Sequence, residues 1–211
     1  EHGQLRVYYQ PVLTLDTQVV VGFEALVRWK HPSLGLLPPD QFVAVAEETG
    51  LIVPLGEWVL QQALDQVAGW RARLPGASDL WVSVNLSARQ LRARNVVDMV
   101  ADALLTSGMP PTALRLEITE SVVMDEVGPT IDAMKAIRAL GVHLAIDDFG
   151  TGYSSLSYLK SLPVSTIKID RTFVDCLGSE DAAAAPLVDA IVSMARALDL
   201  EVIAEGVETA V

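Results

Sequence analysis

Cysteine is almost missing from this sequence. Cys176 is the one thiol in 211 residues, which excludes an internal disulfide and leads us to expect a reducing, cytoplasmic compartment. Histidine is scarce as well. His2, His31 and His143 are the full set of three, and they fit no metal-ligand spacing, so zinc chemistry is not expected. Basic residues are outnumbered, with 15 Lys+Arg against 27 Asp+Glu and a net charge of −12. Such a surface repels nucleic-acid polymers and anionic lipid unless it is locally patched or metal-loaded. No apolar run approaches the ~18 residues that a membrane span needs. The start, Glu1-His2-Gly3-Gln4, has no basic region followed by an apolar core, so no secretory signal is expected. It reads as a cut just before a strand, in a segment of a longer parent that could itself be membrane-anchored. What is present is a globular composition. Hydrophobic residues make up 51% and charged residues 20%, with mean hydropathy +0.35, which excludes intrinsic disorder. A chain this long can bury one sizeable core and fits a single α/β barrel.

The pattern along the chain alternates short apolar strands with longer helical segments. Residues 5–15 and 19–29 are rich in Val, Leu and aromatics around the turn Asp16-Thr17-Gln18, which predicts an antiparallel hairpin. Pro38-Pro39 opens a helix that should stop at Gly50, and Pro54 opens another running to about Arg73. Strands follow at 81–86, 114–119, 143–149, 166–170 and 201–206. Helices are expected at about 95–107, 128–140, 154–160 and 184–198. Strand–helix alternation implies parallel pairing through right-handed crossovers. Seven strands in this order predict a TIM-like (β/α)8 barrel that lacks its last strand and helix in this chain. A doubly wound open sheet is the competing architecture.

Strands buried on both faces should read as near-continuous apolar runs. Here nearly every one carries a polar intruder late in the strand. The hairpin's second strand has Glu24 and Arg28. The later strands carry Asn85, then Glu117, then Asp147 and Asp148, then Lys168 and Asp170, and finally Glu205. Taken singly, Glu24 could be half-exposed, Asn85 could satisfy a backbone group, Asp147-Asp148 could be a turn, and Lys168 could pair with Asp170. Six strands doing this at matching depth instead imply one polar mouth at the end of a barrel where active sites form. The acids and amide Glu24, Asn85, Glu117, Asp147, Asp148 and Glu205 offer oxygen donors alone. That set suits Mg²⁺, Mn²⁺ or Ca²⁺. Without cations these acids would repel one another. Two divalent ions would neutralise them and suit attack of water on a phosphodiester. The Gly/Ser-rich run after Asp148 could be a mobile lid, a phosphate cradle or an ordinary loop.

These residues resemble a known family. Tyr9-Gln10-Pro11, Glu24-Ala25-Leu26 inside GFEALVRW, VNLS at 84–87, EITE at 117–120, DDFGTGYSSL at 147–156, IKID at 167–170 and EGVE at 205–208 are similar to the ordered motifs of EAL-domain cyclic-di-GMP phosphodiesterases. The resemblance implies one EAL-type domain over 1–211, C-terminally incomplete, in a barrel whose first strand runs antiparallel. It implies hydrolysis of cyclic di-GMP to linear pGpG, supported by Mg²⁺ or Mn²⁺ at a two-metal site and inhibited by Ca²⁺. Glu24, Asn85, Glu117 and Asp147 would form one metal site. Asp147 would bridge to a second cation held by Asp148, with Glu205 helping directly or through water. Glu205 would be the general base, and Lys168 would orient the attacking water. Glu120 would anchor the loop after Asp148, with Glu208 in support. Gln10, Leu26 and Arg28 would contact substrate, Arg28 at a phosphate. The resemblance also implies a homodimer through the region 150–160 and a fused sensory or GGDEF-type domain in the parent. Two other readings stay open. One is a receptor of the same fold that binds cyclic di-GMP without cutting it. The other, a metal-dependent lyase of the enolase type, draws no support from the Asn85 motif or the Glu24 hairpin.

Overall fold

The computed structural model describes residues 3–125, 129–151, 159–178 and 184–207. It opens with a hairpin in which β1 (Leu5–Leu13) pairs antiparallel with β2 (Val20–His31). The connection is closed by the Thr14 N–H donating to the Val19 carbonyl at 3.0 Å. Strand β2 outlasts the expected boundary and folds back on a short strand, β3 (Gly35–Leu37). His31 makes that reversal, because its Nδ1 accepts from the Ser33 and Leu34 N–H groups at 3.3 and 3.2 Å. A three-residue strand carries too few positions for periodicity to reveal it.

A 3-10 turn at Pro39–Gln41 leads into α1 (Val43–Thr49), which stops at Gly50 with φ 81°. The long α2 (Ile52–Arg73) follows. Next come β4 (Trp81–Asn85), α3 (Ala88–Leu91) and α4 (Val96–Ser107), the last ended by Gly108 at φ 68°. The chain continues through β5 (Leu114–Thr119), α5 (Glu120–Asp125), α6 (Pro129–Ala139) and β6 (His143–Phe149). It then runs through β7 (Thr166–Ile169), α7 (Arg171–Asp175), α8 (Ala184–Ala197) and β8 (Glu201–Ala204). Helices α3, α5 and α7 go beyond what the sequence pattern predicts. Each is four to six residues long and starts within three residues of a strand end, too short for a helical period to show. The helix expected at 154–160 lies mostly outside the described residues.

The sheet order is β1-β2-β4-β5-β6-β7-β8, with β3 beside β2. All pairings from β2 through β8 along this path are parallel. This is the expected α/β class, a truncated TIM-like barrel with an antiparallel first strand. The sheet curls strongly. Strands β2 and β7 are four places apart, about 19 Å in a flat sheet, yet the Lys168 Nζ lies 3.3 Å from the Glu24 Oε2.

Alternation decides what each face does. Val82 and Val84 of β4, Leu114, Leu116 and Ile118 of β5, Leu144 and Ile146 of β6, and Ile167 and Ile169 of β7 are all buried. They pack with Leu60, Ala63, Leu64 and Val67 of α2 and with Met134 and Ile137 of α6 in one core. The other face of these strands points inward. Register places Trp81, Ser83 and Asn85 there, followed by Arg115 and Glu117, then His143, Ala145 and Asp147, then Thr166 and Lys168, and then Glu201. The N-terminal end of this interior is plugged. Trp81 lies against Gly22, where any Cβ would come within 2.2 Å of the indole. The Arg115 guanidinium stacks on the same indole at 3.9 Å and bonds Glu201 at 2.5 Å. The C-terminal end is left for the polar side chains.

Candidate active site

The site is built around one ammonium. Lys168 Nζ lies 2.6 Å from Glu205, 2.7 Å from Glu117, 3.0 Å from Asp147 and 3.3 Å from Glu24. The four acids stand on β2, on β5, on β6 and just past β8. The Lys168 side chain is only 3% exposed and that of Glu117 only 2%. Asn85 joins the ring at its edge, its Nδ2 donating to the Glu24 Oε1 at 3.1 Å.

A local irregularity brings in a further acid. Consecutive strand residues face opposite ways, so Asp147 and Asp148 could not both reach one mouth from a regular strand. The β6–β7 register shifts between Ile146 and Phe149, and Asp148 takes a left-handed φ of 53°. The shift acts as a bulge that re-aims a side chain. As a result, carboxylate oxygens of Asp147, Asp148 and Glu205 lie within 4.8 Å of one another. Beyond the bulge, Gly150 runs at φ 101° against Phe173, whose ring lies 2.7 Å from where a Cβ would stand. The buried Glu120 accepts the Gly150 N–H at 2.8 Å, tying the start of the loop to the start of α5.

The remaining candidates divide by position. Gln10 pairs with Glu24, and Leu26 and Arg28 follow Glu24 on the same inner face of β2, so the three line one wall running outward from the acids. Arg28 donates to the Val27 carbonyl at 2.9 Å and its guanidinium lies 6.0 Å from the Tyr8 ring centre. Asp170 does not pair with Lys168. It caps α7, accepting from the Thr172 N–H at 2.9 Å. Glu208 and residues 152–158 lie outside the described residues, and with them most of the expected lid. Sequence reasoning passes over Ser83 and the plug formed by Trp81, Arg115 and Glu201. A signal exists, because Trp81 and Ser83 keep two-residue spacing with Asn85.

Electrostatics follow from crowding. Burial first, then the neighbouring Glu24 and Asp147 charges, push Glu117 up to about 8, with Lys168 acting against them. Glu205 rises to about 7, again chiefly through burial. Asp148 also rises, through burial and then Asp147. For Lys168, burial alone would favour loss of its proton, but Glu117, Glu24, Asp147 and Glu205 together hold the proton more tightly than usual. The residues fit a hard divalent cation. Their donors are carboxylate and amide oxygens, and among the described residues Asp147, Asp148 and Glu205 are the one grouping of three or more acids, histidines or cysteines at ligand spacing.

A barrel with its N-terminal end plugged and oxygen donors gathered at its C-terminal end belongs to the class of α/β barrels that work at their strand ends. The chain is a member of the EAL domain family, whose family model matches residues 1–211. It is 47% identical over 212 residues to "Bifunctional diguanylate cyclase/cyclic di-GMP phosphodiesterase MucR" of Pseudomonas aeruginosa, covering 99% of this chain and 30% of that protein. It is 39% identical over 210 residues to "Signaling protein YkoW" of Bacillus subtilis, covering 100% of this chain and 26% of that protein. The chain therefore spans about a third or less of these relatives. Among solved structures, "PaMucR Phosphodiesterase, c-di-GMP complex" superposes with TM-score 0.92 at 47% identity, over 98% of this chain and 82% of that one. The EAL enzyme Bd1971 in its cAMP and cyclic-di-GMP bound form gives TM-score 0.92 at 36% identity, over 98% and 56%.

Proposed function

We propose that this chain hydrolyses cyclic di-GMP to linear pGpG with the help of Mg²⁺ or Mn²⁺, acting as a single catalytic domain. The observation that carries the reading is the ring itself, in which four carboxylates from separate strands surround Lys168 and Asp147, Asp148 and Glu205 are grouped within 4.8 Å. A receptor that only binds the dinucleotide would have no need of a complete donor set. Glu24, Asn85, Glu117 and Asp147 would hold one cation, and Asp147, Asp148 and Glu205 the other. When bound, such cations supply a water of lowered pKa and offset the charge of the phosphodiester. Ca²⁺, larger and less demanding in geometry, would occupy the site without supporting turnover.

The protein's own groups divide the remaining work. Glu205, just past β8 and 2.6 Å from Lys168, accepts the proton of the attacking water. Lys168 keeps its proton among four acids, so it orients that water and faces developing negative charge rather than acting as base. Glu120 holds the loop at Gly150. Gln10 and Leu26 contact the nucleotide, and Arg28 pairs a phosphate. In the cell the chain would work in the cytoplasm, as a homodimer fused to a sensory or GGDEF-type domain.

The test is incubation with cyclic di-GMP and Mn²⁺ followed by chromatography for pGpG. Turnover that is lost in Glu24→Ala and falls at least about 100-fold in Glu205→Gln, with unchanged circular dichroism, supports the assignment. Nucleotide binding without any product would establish the receptor instead. Full activity in Glu205→Gln would remove it as the base.

A further inference from the structure

Lys168 offers more than a place beside water. Its ammonium sits at the centre of the ring, in contact with four carboxylates carried by four separate strands or the residue just past one. That is the position and the coordination a cation takes. The strand that carries it restrains it further. Strand β7 is buried along its whole length between β6 and β8, so the lysine stem has little freedom to withdraw. We propose that Lys168 is a built-in stand-in cation, which holds the carboxylate ring together while the site is empty of metal and gives up part of its contacts when divalent ions load.

The inference rests on the metal-site reading above, and the balance of charge supports it. Once they act as metal ligands and have given up their protons, the five carboxylates Glu24, Glu117, Asp147, Asp148 and Glu205 against one ammonium leave four negative charges. Two divalent cations cancel these. Without the ammonium, the empty ring would have no internal counter-charge and Glu117 would be buried without a partner, which is the costly arrangement. With metals bound, the same ammonium is a like charge at close range. Lys168 thus favours the empty state and weighs against the loaded one, keeping the acids at metal-ready spacing while limiting how tightly metal is held.

The experiment compares wild type with Lys168→Met, which keeps the stem and removes the charge. Thermal unfolding is recorded in EDTA and in Mn²⁺, and Mn²⁺ affinity is measured by calorimetry. The expected result has three parts. Lys168→Met melts several degrees lower in EDTA, gains more from Mn²⁺ than wild type does, and binds Mn²⁺ at least about tenfold more tightly. Weaker Mn²⁺ binding by Lys168→Met, or an equal loss of melting temperature with and without Mn²⁺, overturns the proposal and leaves Lys168 as ordinary scaffold. If Lys168→Met does not fold in EDTA, two rescues decide the matter: adding Mn²⁺ during refolding, and combining it with Glu117→Gln to remove one buried charge. Recovery by either supports the stand-in role, and failure of both overturns it. No nucleotide enters these measurements. A wild type that shows the exchange but leaves cyclic di-GMP uncut would sink the phosphodiesterase reading alone.

Discussion

The two ends of the barrel interior are built from the same strands and reach opposite electrostatic outcomes. Strand β4 carries Trp81 at one end and Asn85 at the other, β5 carries Arg115 and Glu117, and β6 carries His143 and Asp147. At the N-terminal end the charges are matched, with Arg115 stacked on Trp81 and paired with Glu201. At the C-terminal end, Glu24, Glu117, Asp147 and Glu205 face one lysine. A polar side chain inside a barrel is therefore not in itself a sign of chemistry. The informative quantity is the surplus of charge left after internal pairing, because only a surplus calls for something from outside.

The plug should matter for stability and the mouth for ligands, and the sharpest way to break that contrast is Trp81→Ala. It empties the space beside Gly22 and strips the Arg115 guanidinium of its stacking partner. We expect a loss of about 3–5 kcal/mol in urea unfolding, with the Mn²⁺ affinity of the remaining folded protein unchanged. A parallel collapse of Mn²⁺ binding would show that the two ends are not separable. Next in size comes pH. Glu117 and Glu205 carry raised values of about 8 and about 7 in the fold, against about 4.3 for a free glutamate. The folded state keeps protons that the unfolded chain has already lost. The share of stability that these two groups give the metal-free protein is therefore full below about pH 4.3 and is lost as pH rises through 7 to 8, by on the order of 2–4 kcal/mol. The plug has the opposite sense. His143 is held below its ordinary value by burial, then by Arg115 and Arg138, so its share of stability is lost as pH falls below about 6.5. Urea midpoints in EDTA across pH 5–9 check both. A profile that does not fall between pH 5 and 8 would contradict the crowded mouth.

Much of this is legible in the residues. Strand positions from β4 to β8 and the helix stops at Gly50 and Gly108 follow from local chemistry that tertiary packing does not override. The acids are legible as a set because each interrupts an apolar strand. Their sharing of one lysine is not, since contact between Glu24 and Lys168 depends on how far the sheet curls, a property of no single strand. The plug escapes for a related reason. Trp81, Arg115 and Glu201 each look ordinary alone, at the starts of strands, and their stacking and pairing emerge only once register is known. Helices α3, α5 and α7 escape because four to six residues do not complete enough turns to show a face.

Asp148 carries the contrast down to one residue. It stands in the left-handed region at φ 53°, where a non-glycine side chain is uncommon and Asp and Asn are the best tolerated. Its carboxyl is also pushed up by burial and by Asp147. The backbone turn places a third acid within reach of Asp147 and Glu205, the raised carboxyl reflects that crowding, and both work against the empty fold. Asp148→Asn keeps the backbone preference and removes the charge, so it separates repulsion from strain. The metal-free protein should gain roughly 0.5–1 kcal/mol, within the range of substitutions that relax a functional site, while its stabilisation by Mn²⁺ shrinks. A variant that gained nothing in EDTA yet still lost Mn²⁺ stabilisation would mean that this charge does not destabilise the empty mouth. A variant that kept full Mn²⁺ stabilisation would mean that Asp148 is turned inward for some purpose other than holding a cation.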